Sequence, residues 1–276
     1  FVLSVEFFQP WIDLCMDEAT SEAWKIFAEK ARAVQEQQEE EECETKITKE
    51  DCDAVKSSCN KKLAVGKNGL YFTPDQEKAL QDAIKGVFGG DTSGDGAVVA
   101  VRSSSPEEDL VGTSFAGGYE TTLGVPLDTS TSGNSNDAFA NALLTSFLSM
   151  LDYRVVQYKL QQQQKLQSKN NGDVIMDVLK PKIAVVVQEQ IDSQTSGVAF
   201  SINPHNNCYD EIVITANFGL GESVVSGIVT PDIYTVERRN EEEFVILDKK
   251  IGAKEEAIWL DKKKDEKGTV QKSNEE

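Results

Sequence analysis

A chain of 276 residues is long enough for one large domain or for two lobes with separate cores. Its 39% hydrophobic and 27% charged residues are ordinary for a soluble globular protein, and a net charge of −19 argues against nucleic acid as a partner, because the phosphates would be repelled. No apolar run approaches the length needed to cross a bilayer, so no membrane partner is expected.

Five cysteines, at positions 15, 43, 52, 59 and 208, contain no Cys-x-x-Cys pair, and one histidine leaves no zinc-binding spacing. They read as free thiols of a reducing, cytoplasmic compartment. A targeting segment before Phe1, and with it an organelle, stays open.

In chain order, Phe1 to Cys15 reads as a strand or turn and then a short apolar helix around Phe7, Phe8, Trp11, Ile12 and Leu14. Residues 19–42 form a helix candidate, with Ala23, Phe27, Ala31 and Val34 on one face, running into the solvated acidic stretch EQQEEEECE. Thr73-Pro74-Asp75-Gln76 starts the next helix: threonine caps, proline takes the first turn and glutamine closes a capping box. Leu80, Ile84 and Val87 supply its buried face, and Gly89-Gly90 end it. No Walker A loop occurs, since Gly66-Lys67 lacks both the upstream glycine and the following Ser or Thr.

The apolar run Ala97 to Val101 reads as a buried strand that delivers Arg102 and three serines to its end. A Gly-rich, hairpin-like loop, Ser114 to Thr121, follows. Arg102 offers a planar fork of charged donors suited to phosphate oxygens, and Gly117 and Gly118 let backbone N–H groups approach a polyanion. Such a group suits a nucleoside triphosphate; an ordinary hairpin with a surface arginine is the competing reading.

Residues 137–164 are mostly helical, with Phe139, Leu143, Phe147, Met150 and Leu151 as a core stripe. Ile183 to Val187 reads as a strand buried on both faces. His205, in SINPHNNCYD, is a solvated turn residue. Gly219-x-Gly221 is a weak dinucleotide signal, because the third glycine position holds Val224. Residues 232–236 and 243–247 form a hairpin, and 249–276 are too charged to make core.

The strings AVRSSSPEEDLVGTSFAGGYETTLGV and IAVVVQEQIDSQTSGVAFSINPHNNCYDEIVITANFGLGESVVSGIVTPDIYTV resemble, in the same order, the nucleotide-binding blocks of the phosphoenolpyruvate synthase and pyruvate phosphate dikinase family. The resemblance covers residues 1–236, strongly from Ala97 onward. It implies an α+β fold of the ATP-grasp type, two lobes with mainly antiparallel sheets and flanking helices, here truncated at both ends. The organisation expected is a partial small-lobe segment with an acidic helical insertion at 1–95, a nucleotide-binding core at 96–248 and a charged tail at 249–276.

By the same resemblance the ligands are ATP and Mg2+, and the partner is a separate domain carrying a phosphohistidine. Arg102 would be catalytic and hold the phosphates, with Ser114, Gly117, Gly118 and Thr121 closing over them. The backbone of Gln188, Glu189 and Gln190 would meet the adenine. Glu222, delivered by a turn, would be the second catalytic residue and the metal ligand, directly or through water. Arg154 stands where the family carries an arginine, for a lobe-bridging role or a surface salt bridge. The family's phosphate lysine, magnesium strand and carrier histidine fall outside the sequence, so the chain alone is expected to be inactive.

The reaction implied is cleavage of ATP to AMP and phosphate with phosphorylation of the carrier histidine, pyruvate being the commonest acceptor. A drug- or glucan-modifying dikinase, or a nucleotide-binding module without turnover, remain alternatives.

Overall fold

The computed structural model describes residues 1–36, 46–64, 70–89, 97–105, 119–127, 138–166, 182–240, 243–261 and 268–273. The chain divides into two compact units, Phe1–Glu189 and Gln190–Glu276. The fold is α+β, and every strand-to-strand ladder among the described residues is antiparallel.

The first unit is built on a four-stranded sheet in the order β1 (Val2–Leu3), β4 (Ala184–Glu189), β2 (Val98–Ser104), β3 (Thr121–Pro126). Valines alternate along the strands, so Val99, Val101, Val125, Val185 and Val187 all point to one face and are buried there. Helix α5 (Ala138–Ser149) packs on that face with Phe139, Leu143 and Phe147. Among the described residues the other face is less covered: Ala100 is buried and Val186 half-buried, but Val2, opposite Val186, is exposed. Among the described residues β4 is therefore fully buried on one face and partly covered on the other, not buried on both. An apolar run alone does not distinguish the two cases, because the half-buried positions are also Ala and Val.

Behind α5 lie α1 (Gln9–Cys15), α2 (Glu22–Glu36) and α3 (Lys49–Leu63). Phe8, Trp11 and Phe147 meet with ring centroids 5.2–5.7 Å apart, and the Trp11 indole N–H donates to the Tyr71 carbonyl, so burial leaves no polar atom stranded. Cys15, Cys52 and Cys59 are fully buried free thiols. A hydrogen bond with Cys59, and then burial, holds the Cys15 thiol far above its ordinary value, while burial pushes Cys52 up to about 12. These thiols pack as small apolar groups.

Helix α4 (Pro74–Phe88) starts as expected: the Thr73 hydroxyl accepts from Gln76 N–H, and the Gln76 side chain accepts from Thr73 N–H. Gln76 is itself buried and donates to the Phe7 carbonyl, tying the cap to the core. The helix ends at Gly89 with φ +80°. Its packed stripe runs through Leu80, Ile84 and Phe88; Val87 is 57% exposed, because Phe88 rather than Val87 turns inward to meet Phe1 edge-on. A second capping box, Thr48 with Asp51, opens α3 and was not expected, since its third residue is Asp rather than Glu or Gln. The 137–164 helix is two helices, α5 and α6 (Tyr153–Leu166); Asp152 between them forms an ion pair with Lys56 of α3. All five residues of the expected stripe are buried.

The second unit carries a four-stranded sheet in the order β5 (Thr195–Phe200), β6 (Glu211–Phe218), β7 (Asp232–Arg238), β8 (Phe244–Lys250). The last two strands are the expected hairpin. A separate hairpin, β9 (Glu256–Leu260) and β10 (Thr269–Ser273), corrects the reading of 249–276 as tail: Ala257, Ile258 and Leu260 are buried. Four apolar residues in a charged stretch give too short a pattern to stand out in sequence. Among the described residues no helix is long and apolar enough to cross a membrane.

Gly219 joins the two sheets of this unit. Its φ is +70°, it bridges to Ile258, and a Cβ there would run into the Ile258 carbonyl. Gly219→Ala should therefore lower stability by about 1–3 kcal/mol, combining left-handed strain with a backbone clash. Urea unfolding followed by circular dichroism measures this; an unchanged midpoint would mean that the 219–258 contact is dispensable.

Candidate functional site

Strand register decides which of the expected site residues share a surface. Arg102 of β2 lies opposite Val186 of β4 and opposite Thr121 of β3, and Ala100 lies opposite Gln188. Directly opposed residues present side chains to the same face, with Cα atoms about 4.5–5.5 Å apart. Arg102, Thr121 and Gln188 thus stand together on the open face of the first sheet, all exposed. Arg102 has no ion-pair partner among the described residues. In a chain of net charge −19, an unpaired guanidinium on an open sheet is a ready anion contact.

A β-bulge sets this arrangement. Between Val99 and Val101 the β2–β3 register slips by one residue, and Gly124, with φ +68°, supplies the left-handed conformation on β3. The slip brings Thr121, rather than Thr122, opposite Arg102.

The three serines after Arg102 do not cluster beside it. Ser103 alternates to the opposite face, and its hydroxyl donates to the Glu120 carbonyl at 3.0 Å. Ser105 is buried, and only Ser104 shares the Arg102 face. The hydroxyl next to the arginine is that of Thr121, from the neighbouring strand. Glu189, opposite Val99, stands on the other face from Gln188, and Gln190 follows the end of β4. Ser114, Gly117 and Gly118 lie outside the described residues.

Glu222 belongs to the second unit. Gly221 caps a one-turn helix, Glu222–Val225, and Glu222 is exposed in its first turn. Gly219-x-Gly221 is thus a turn that delivers an acidic residue to a helix start. Beneath it, Asn217 is 3% exposed; its amide nitrogen donates to Ser223 Oγ and to the Glu256 carbonyl, each at 2.9 Å, while its Oδ1 has no protein partner. Among the described residues no group of three or more His, Cys, Asp or Glu side chains is arranged to hold a metal ion.

Arg154 is exposed in the first turn of α6. His205 is a turn residue, as expected, its backbone N–H bonded to Asn203 Oδ1. The side-chain amides of Asn206 and Asn203 converge on Glu211 and hold its carboxyl below the usual range. That cluster organises the loop between β5 and β6.

An ion pair of the second unit that sequence did not suggest joins Lys254 and Asp232, 2.6 Å apart and both partly buried. The Lys254 bond, with a further one from Gly252 N–H, holds the Asp232 carboxyl below its ordinary value of about 3.9. A depressed folded-state pKa adds stability that is complete above the unfolded value and disappears as pH falls through the folded one. Denaturant unfolding across the acid range should therefore show a shallower acid-side loss in Lys254→Met than in the parent chain. Superimposable pH profiles would remove this pair as a source of acid sensitivity.

Residues 18–276 match the family described as "Pyruvate phosphate dikinase, AMP/ATP-binding domain". The chain is 41% identical over 157 residues to an uncharacterized phosphotransferase of Bacillus subtilis, covering 57% of this chain and 16% of that protein. It is 38% identical over 174 residues to a protein of Methanocaldococcus jannaschii named "Probable phosphoenolpyruvate synthase", covering 63% and 12%. It is 36% identical over 172 residues to the phosphoenolpyruvate synthase of Pyrococcus furiosus, covering 62% and 18%. The aligned segment thus spans less than one fifth of each of these relatives.

Proposed function

The chain belongs to the family of pyruvate phosphate dikinase AMP/ATP-binding domains, and on that premise we propose that the open face of its first sheet is the phosphate- and base-contacting surface of an ATP-grasp site in a phosphoenolpyruvate synthase-like dikinase. The observation that carries this reading is the register itself. Arg102, without an ion-pair partner among the described residues, the Thr121 hydroxyl and the Gln188 amide, one from each of three adjacent strands, stand exposed on one face, with Ser104 on the same side.

In this reading Arg102 binds the phosphates, and its fixed charge neutralises negative charge that shifts between phosphoryl oxygens during transfer. Thr121 adds a neutral hydrogen bond beside it. Ser114, Gly117 and Gly118 are proposed to close over the phosphates through backbone N–H groups and so exclude water. Residues 188–190 meet the base, with the Gln188 side chain available to it and the Glu189 side chain directed away.

Glu222 is the proposed metal ligand. Magnesium takes one or two carboxylates and fills its shell with phosphate oxygens and water. A single exposed carboxylate suits that chemistry, and the absence of a three-carboxylate cluster among the described residues does not conflict with it. When bound, the ion would neutralise phosphate charge.

The overall reaction proposed is transfer of the β-phosphoryl group of ATP to a histidine on a separate domain, with the bond to the α-phosphate broken to leave AMP and the γ-phosphoryl group taken by water and released as phosphate. The match to proteins named phosphoenolpyruvate synthase supports pyruvate as the final acceptor. Two results test the nucleotide surface. By isothermal titration, Arg102→Ala should weaken ATP binding about 10- to 100-fold and leave adenosine binding nearly unchanged, as expected for one charge-assisted contact. Equal losses for both ligands would remove Arg102 from the phosphates. In the same assay Gln188→Ala should weaken adenosine binding while Glu189→Ala should not; the reverse order would place the base on the other face of β4.

A further inference from the structure

The turn that presents Glu222 is bound by three separate segments of the second unit. From the side of β5, Gly219 N–H donates to the Gln194 carbonyl at 2.8 Å, and the Gly219 carbonyl accepts from the Ser193 and Ser196 hydroxyls. From β9, the Ile258 carbonyl accepts from Leu220 N–H at 2.7 Å. Beyond the turn, the Glu222 carbonyl accepts twice from Ser226, from its N–H at 2.9 Å and its hydroxyl at 2.7 Å. The Glu222 carboxylate, by contrast, is exposed and makes no ion pair or hydrogen bond among the described residues. The backbone is fixed and the side chain is left free.

Asn217 supplies the third segment, from beneath. It stands on the buried side of β6 with Val213 and is 3% exposed. Its amide nitrogen donates to Ser223 Oγ and to the Glu256 carbonyl, each at 2.9 Å. Ser223, fully buried, donates in turn to the Leu220 carbonyl at 3.2 Å. One amide thus ties the residue after Glu222 to β9 and, through the serine, to Leu220 before it. The Asn217 Oδ1 is buried with no hydrogen-bond partner among the described residues. An unpaired buried acceptor is a cost that an apolar side chain of similar size would avoid. Stability alone therefore does not select asparagine here; its two donated bonds do.

We propose that Asn217, acting through Ser223, is a positioning residue that fixes Glu222 for the metal ion of a bound nucleotide. The inference rests on the reading of Glu222 as the metal ligand. Magnesium demands near-octahedral geometry at short distances, so a carboxylate on a wandering turn would meet it poorly. A turn already held leaves only the Glu222 side chain to be ordered when the ion binds, which lowers the cost of binding. Loss of the Asn217–Ser223 bond would weaken the metal-dependent part of nucleotide affinity and leave the metal-independent part alone.

The test uses the whole chain. Isothermal titration gives the ATP dissociation constant with Mg2+ and again with EDTA, and their ratio is the magnesium enhancement. Glu222→Gln should abolish the enhancement. Asn217→Ser and Ser223→Ala should each cut it about tenfold or abolish it, the range for a residue that orients a metal ligand, with ATP affinity in EDTA unchanged. Val213→Ala, a cavity on the same strand and the same buried face, should lower the urea midpoint and keep the full enhancement. Circular dichroism checks that each variant folds, and Ser223→Ala, which removes a single oxygen, carries the test if Asn217→Ser does not. An enhancement absent from the parent chain, or unchanged in Glu222→Gln, would overturn the reading of Glu222 and this inference with it. Loss in Glu222→Gln with full enhancement in Ser223→Ala would overturn the inference alone. So would a loss in Val213→Ala equal to that in Ser223→Ala, which would make the effect one of stability.

Discussion

The burial of one face of the first sheet against α5 is the constraint on which its proposed nucleotide surface depends. Valine at every second position of β2 and β4 drives one face onto α5 with its phenylalanines, and apolar burial of that kind fixes register, because a slip of one residue would expose the whole set. Once the valines are committed, the intervening residues have no freedom of placement. Arg102, which follows buried Val101, must stand on the opposite side, as must Gln188, next to Val187. The bulge at Gly124 then decides which threonine joins them.

Much of this was legible in the residues. The strand around Val99, the capping box of Thr73 and Gln76, the core stripe from Phe139 to Leu151 and the 232–250 hairpin all carry strong local signals, and the structure has each of them. Period-two alternation also contained the face assignment of Arg102. What it could not contain was the pairing: that Ser103 would turn away to the Glu120 carbonyl while Thr121, distant in sequence, would take its place is a long-range result of antiparallel register. The bulge that sets it depends on a glycine conformation that the letter alone does not announce.

Two other features escaped for different reasons. The β9 strand is only Ala257 to Leu260 in apolar content, and its burial comes from the carbonyl of Ile258 meeting Leu220 N–H, a contact nearly forty residues away in sequence. The Lys254–Asp232 pair likewise joins a connecting segment to a strand start across 22 positions. The lysine- and glutamate-rich composition of that region offers many such pairs, and nothing in spacing selects this one. Composition pointed to a solvated tail; the fold makes it part of a second core.

Indole placement gives each unit its own optical signature. Trp11 and Trp24 are sealed within the helices of the first unit, and Trp259 lies half-open on β9 of the second; these are all the tryptophans of the chain. Sealed indoles emit toward the blue and wetted ones toward the red, so the second unit's indole contributes on the red side of the emission of the first unit's pair. Opening of the first unit would expose Trp11 and Trp24 and move the emission of two of the three indoles to the red, without any introduced label.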